Sequence, residues 1–197
     1  MPSALTAEIA AAAARLVVEE GMEYGPAKRR AARIVAKHTV RPAELPGNDE
    51  VEEEVRSYLS LFHADTQPAE LAALRLVALD WMTRLAPFRP HLTGAVWRGT
   101  ATRLNSVHLQ LYCDDPKSAE LALIELGVDY EVGSLPGPRG DSVDVLSVAS
   151  RSPALGELVT VHLTVLDHDD LRGALKPDAR GRTQRGDVAA LRALLQP

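Results

Sequence analysis

Leu92-Thr93-Gly94-Ala95-Val96-Trp97-Arg98-Gly99-Thr100, followed by Val107-His108-Leu109-Gln110-Leu111, is the stretch on which the fold turns. Residues 92–97 predict a short strand ending in an Arg98-Gly99 turn. Residues 107–113 predict a second strand, with Val107, Leu109, Leu111 and Cys113 on one face, because successive strand side chains point to opposite sides. Upstream of about residue 90 the apolar residues recur at intervals of three and four; downstream the period shifts towards two. The chain therefore reads as an N-terminal helical lobe over 1–90 and a sheet domain with a C-terminal helix over 91–197, together one compact unit. Helices followed by strands that one helix interrupts predict an α+β protein with a mixed sheet covered on one face.

Working upstream, residues 4–20 predict a helix that Gly21 and Gly25 end. Pro26 opens a basic helix through about His38, closed by Arg41-Pro42 and Leu45-Pro46-Gly47. Asn48 or Asp49 caps a third helix whose first turns carry Glu50, Glu52, Glu53 and Glu54, where the positive end of the helix dipole favours acids. A fourth runs from Thr66 or Gln67 to before Pro87. Working downstream, Asp115 caps a helix with Pro116 at its first position and Gly127 past its end. Residues 128–132 and 143–149 predict strands around the loop 136–140. Residues 158–166 alternate, with Val159, Val161, Leu163 and Val165 opposite Thr160, His162 and Thr164, and a last helix starts at Asp187.

Composition narrows the function. The 197 residues carry 22 basic and 27 acidic side chains, a net charge of −5, which argues against general binding to nucleic acid or to an anionic membrane. Only eight aromatic residues occur (Trp81, Trp97, Phe62, Phe88, Tyr24, Tyr58, Tyr112 and Tyr130), too few for a base-stacking platform. A single cysteine, Cys113, excludes an internal disulfide and any multi-cysteine zinc site, and fits a cytoplasmic location. Cys113 falls on the apolar side of its strand and reads as a core thiol. No apolar run reaches the length of a membrane span. No phosphate-loop, nucleophile-elbow or His-Glu-x-x-His motif occurs.

The segment 92–111 resembles the nucleotidyltransferase fold of the polymerase-β type over roughly residues 85–167. The family signature is a strand ending in Gly-Ser, a helix or loop with Arg-Gly, a strand with Asp-x-Asp, and a third acid on a later strand. Gly94, Arg98 and Gly99 match the frame. His108 and Gln110 stand at the Asp-x-Asp positions, Ala95 stands where the serine belongs, and His162 on the 158–166 strand stands at the third. The resemblance implies two magnesium ions held by carboxylates, and those ligands are missing here, while imidazole suits transition metals better. The resemblance thus implies a nucleotidyltransferase-like protein with degenerate acids: a module that binds a nucleotide or small anionic ligand, or regulates. Cleft candidates are Gly94, Arg98, Gly99, His108, Gln110, His162 and Asp144. One alternative is an active metal-dependent transferase using Asp114, Asp115 or Asp144; another is a scaffold for a protein partner.

Two charge clusters complete the reading. Arg172, Lys176, Arg180, Arg182 and Arg185 lie in a Gly- and Pro-containing loop, either as phosphate contacts or paired to the acids among them. Residues 24–43 hold six basic side chains and no acid, and residues 44–54 six acids and no base. Arg29, Arg33 and Lys37 share one helix face at four-residue spacing, which fits an acidic partner or mutual placement of the two helices.

Overall fold

The computed structural model describes residues 3–36 and 39–196. Its residues group into two compact units, one of residues 1–69 with 100–104 and the other of 70–99 with 105–197. The division falls inside the fourth helix rather than after it.

The first unit is helical. α1 (Ala4–Glu20) is capped by Ser3, whose side chain accepts from the Thr6 N–H, and ends at Gly21 in the left-handed region at φ 66°. α2 (Tyr24–Val35) starts two residues before the expected Pro26, and its expected end at Lys37 and His38 lies outside the described residues. α3 (Asn48–Phe62) is entered from Gly47, one residue earlier than expected: the Gly47 N–H donates to Glu50 Oε2 at 2.7 Å, so the acid at the third position does the capping. Ile9, Ala13, Val17, Ala27, Ala31, Val51 and Val55 form the core of these three helices. The alanines let α1 and α2 approach closely, and the wider Val51 and Val55 fill the space on α3. α4 (Gln67–Arg84) begins in this unit, and from Glu70 on it belongs to the second, where Leu74, Val77, Trp81 and Met82 are buried along one side.

The second unit is built on one mixed sheet. Its strands are β1 (His91–Thr93), β2 (Val107–Cys113), β3 (Glu131–Pro136), β4 (Ser142–Ser152), β5 (Glu157–Asp167) and β6 (Arg185–Gly186), in the order β3-β4-β5-β2-β1-β6. β2 and β5 are parallel, and the other pairs are antiparallel. The protein is α+β, as the order of periodicities predicts.

Residues 92–97 are not the expected strand. The strand stops at Thr93, and α5 (Gly94–Arg98) begins at Gly94, where φ is 75°. Only a residue without a Cβ takes that turn cheaply, and Ala95, Val96 and Trp97 then have a helical start rather than an extended one. Gly99, at φ 85°, closes the helix. Strand, glycine, short helix with Arg-Gly, then β2 is the element order the resemblance implies. The strands expected at 128–132 and 143–149 are found shifted or longer, as β3 and β4.

α6 (Pro116–Glu125) has the expected Asp115 cap, which accepts from the Lys117 N–H at 3.0 Å, and it packs on β2 and β5 with Ala119 and Leu123 buried. The sheet face carrying Leu109, Leu111, Leu146, Val161 and Leu163 is buried. After β5 come a 3-10 turn (His168–Asp170), α7 (Leu171–Ala174), β6 and α8 (Val188–Leu195), the last capped by Asp187.

Candidate functional site

Because cross-strand partners share a face, register decides which polar residues meet. Thr93 pairs with both His108 and Arg185, His108 with His162, and His162 with Ser147. One row across β6, β1, β2, β5 and β4 therefore carries Arg185, Thr93, His108, His162 and Ser147. The next row holds His91, Gln110 and Thr164.

The two imidazoles stack, with ring centroids 5.0 Å apart and planes tilted by 31°. Ser147 Oγ hydrogen-bonds His162 Nδ1 at 2.8 Å. Gly94 sits against His108: a Cβ there would lie 3.6 Å from His108 Cδ2. Further along β2, Tyr112 Oη donates to Gln110 Oε1 at 2.9 Å and accepts from Arg185 Nη1 at 3.3 Å. Burial pushes the Tyr112 hydroxyl pKa up, so it stays a protonated donor; the hydrogen bond and charge of Arg185 oppose this more weakly. The His91 ring meets Tyr112 edge-on at 5.5 Å, and its Nδ1 donates to the Arg89 carbonyl at 2.8 Å. Arg185 Nε is buried and has no hydrogen-bond partner.

Gln110, Tyr112 and Arg185 line one cavity of about 510 Å³ with Arg139, Asp169 and Asp170. Arg139 is committed, its Nε donating to Asp170 Oδ1 at 2.9 Å. Arg185 is thus the cation in this lining with an unmet donor.

The structure brings Gly94, His108, Gln110, His162 and Arg185 together on one face and leaves the other candidates elsewhere. Asp144 pairs with Ser134 next to Val132–Leu146, so it lies on the face of Leu146 and Val148, opposite the histidines. There it lines a smaller cavity of about 180 Å³ with Asp141, Asp167 and Asp170. Arg98 and Gly99 close α5 outside the lining of the 510 Å³ cavity. Arg172 and Lys176 are exposed. Arg180 and Arg182 both direct their backbone N–H to Asp178 Oδ1 at 2.9 Å, and Arg182 Nε reaches Oδ2 at 3.2 Å. Asp115 is occupied as a cap and Asp114 is exposed. Cys113 is half-buried rather than in the core, with its thiol pKa pushed up chiefly by burial.

Tyr112, His91, Thr93 and Ser147 were not among the expected site residues. The alternation of β2 already places Tyr112 on the face of His108 and Gln110. The other three join only through strand pairing, which the local pattern does not carry. In the helical unit, Lys28 Nζ donates to Asn48 Oδ1 at 2.8 Å and to the Pro46 carbonyl at 3.1 Å, linking the basic helix to the start of α3. Arg30 instead pairs with Glu20 of α1.

Among the described residues no three His, Cys, Asp or Glu side chains converge as a metal site, and no helix is long and apolar enough to cross a membrane. His108, Gln110 and His162 do not fit magnesium, which takes hard oxygen ligands and is drawn by negative charge.

No protein-family model matches this chain, and no curated protein matches it. Among solved structures it is similar to the Cid1 poly(U) polymerase. With the short product ApU the likeness has 14% identity and a TM-score of 0.38, over 61% of this chain and 38% of that one. With MgGTP bound the values are 13% and 0.37, over 58% and 38%. With the UTP analog UMPNPP they are 13% and 0.36, over 58% and 36%. The chain therefore spans little more than a third of the length of the polymerase chains it matches, and similarity this loose does not identify a family.

Proposed function

We propose that the sheet unit is a nucleotidyltransferase-like module that binds a nucleotide or other small anion without transferring it. The observation that carries this reading is the stacked pair His108 and His162 on adjacent parallel strands, at the positions where the resemblance implies magnesium-holding acids. Gly94 and the Arg98-Gly99 turn keep the frame around that pair while the acids are replaced. Beside it, Arg185 lines a cavity of about 510 Å³, within the roughly 300–1,000 Å³ of small-molecule sites. A guanidinium pre-positioned by Tyr112 supplies the charge-assisted contact that a phosphate or carboxylate needs.

Calorimetry on the full chain tests the reading, with ATP, UTP and pyrophosphate each titrated in EDTA and again in magnesium chloride. Binding of at least one in EDTA is expected, weakened about tenfold or more in Arg185→Gln and in Gln110→Ala, with folding of both variants checked by circular dichroism. No pyrophosphate should be released from a nucleoside triphosphate under either condition. Magnesium-dependent release, or no heat with any of the three ligands, would overturn the proposal.

A further inference from the structure

We propose that the helical unit holds a second binding site, for an anion with an aliphatic body, in the cavity between α2 and residues 39–45. This cavity is about 810 Å³, and its described lining is Ala32, Ala36, Thr39, Val40 and Leu45 together with Arg29 and Arg33. The two arginines are exposed, one helical turn apart, on the same side of α2. Other arginines of this unit are engaged: Arg30 with Glu20, Arg41 with Glu44, and Arg56 with Glu52. Among the described residues Arg29 and Arg33 enter no ion pair, and no carboxylate lines the cavity beside them.

Two guanidiniums at one mouth repel each other and together offer forked donors that match a carboxylate or phosphate. The rest of the lining selects the body of the ligand. Alanine, valine and leucine side chains give apolar contact, and among the described residues of the lining there is no aromatic ring or side-chain amide to stack on or read a base. An alkyl chain ended by a carboxylate or a phosphate therefore satisfies both halves of the cavity, whereas a nucleotide satisfies only the arginines. The site lies within the helical unit and stands or falls independently of the sheet face described above.

Saturation-transfer NMR on the full chain is the test, with octanoate, octyl phosphate, octylamine and octanol as probes. Octanoate or octyl phosphate should bind, and octylamine should not. The Arg29→Gln/Arg33→Gln double variant alters only exposed side chains, so its helical circular dichroism should match the parent while affinity for the anions falls at least tenfold. Val40→Asp, which sets a carboxylate into the lining, should abolish anion binding. Equal binding of octylamine, unchanged affinity in the double variant, or no binding of either anion would overturn the inference.

Discussion

Two glycines beside α5 look alike in the sequence and differ in what they hold. At Gly186 the space is filled: a Cβ would run into the Trp97 ring. That ring cannot swing aside without losing the bond its Nε1 donates to the Thr183 carbonyl at 2.8 Å. Gly186→Ala should destabilise the sheet unit by about 1–3 kcal/mol through overpacking. At Gly94 the space is adequate, with His108 Cδ2 3.6 Å from a built Cβ, and the cost lies in the backbone at φ 75°. Gly94→Ala should cost roughly 1–2 kcal/mol from the left-handed conformation alone. Urea unfolding monitored at both tryptophans separates the two: the Gly186 variant should also change the Trp97 emission of the folded state, and the Gly94 variant should not. An unchanged Trp97 spectrum in Gly186→Ala would contradict the steric argument. Gly94 was legible in the sequence because a motif surrounds it. Gly186 was not, since the ring that forbids a side chain there comes from residues 89 positions away.

At the scale of elements, legibility followed the strength of local signals. The Asp115-Pro116 start of α6 and the Asp187 start of α8 were readable because a cap and its first turn are contiguous. Asp115→Ala should lower stability by about 0.5–2 kcal/mol, a typical loss for a cap, measurable as a shift in the urea midpoint. The 94–98 segment was misread because three apolar residues in a row suit a strand as well as a helix, and only the positive φ of Gly94 decides. The loop 178–184 admits two readings from its composition, and in the fold Asp178 pairs with the side chain of one of the five basic residues, Arg182. Its carboxylate accepts from the N–H groups of Arg180 and Arg182, from Arg182 Nε, and from Gln184 Nε2 at 3.0 Å. The backbone bond from Arg182 is the main cause that holds the Asp178 pKa below its ordinary 3.8. A carboxylate with a depressed folded pKa adds stability that is fully present above the unfolded value and lost as pH falls through the folded one. Amide exchange at Arg180 and Arg182, corrected for its intrinsic pH dependence, should stay protected down to about pH 4 and lose protection below it. In Asp178→Ala the same amides should be unprotected already at neutral pH, and protection surviving there would remove Asp178 as the organiser of the turn.

Across the whole molecule, the shift from helical to alternating period separated helices from strands, yet it said nothing of which strands would be neighbours. The order β5-β2-β1-β6 is what carries Arg185 to Thr93, and Thr93 to His108 and His162, joining residues far apart in the chain. Pairing of this kind is fixed by long-range packing and leaves no trace in a local window, so the face is only half readable: its β2 and β5 members by alternation, Arg185 of β6 as a candidate but not as part of this face, and its β1 and β4 members not at all. The same gap explains the helical unit, where the spacing of Arg29 and Arg33 was visible and the cavity they border was not. Two sites in separate compact units imply two separable ligand effects. A ligand at a hundred times its Kd stabilises the state that binds it by about 2.7 kcal/mol. That gain suppresses the local openings from which amides exchange. Hydrogen exchange read by mass spectrometry should therefore show ATP slowing peptides that cover 107–113 and 168–186, with those covering 24–36 unchanged. Octanoate should slow the peptides over 24–36 and 39–45 and leave 107–113 as it was. If both ligands protect the same peptides, one of the two sites is misplaced, and Arg185→Gln against Arg29→Gln/Arg33→Gln identifies which: the variant that abolishes both effects marks the site that both ligands occupy.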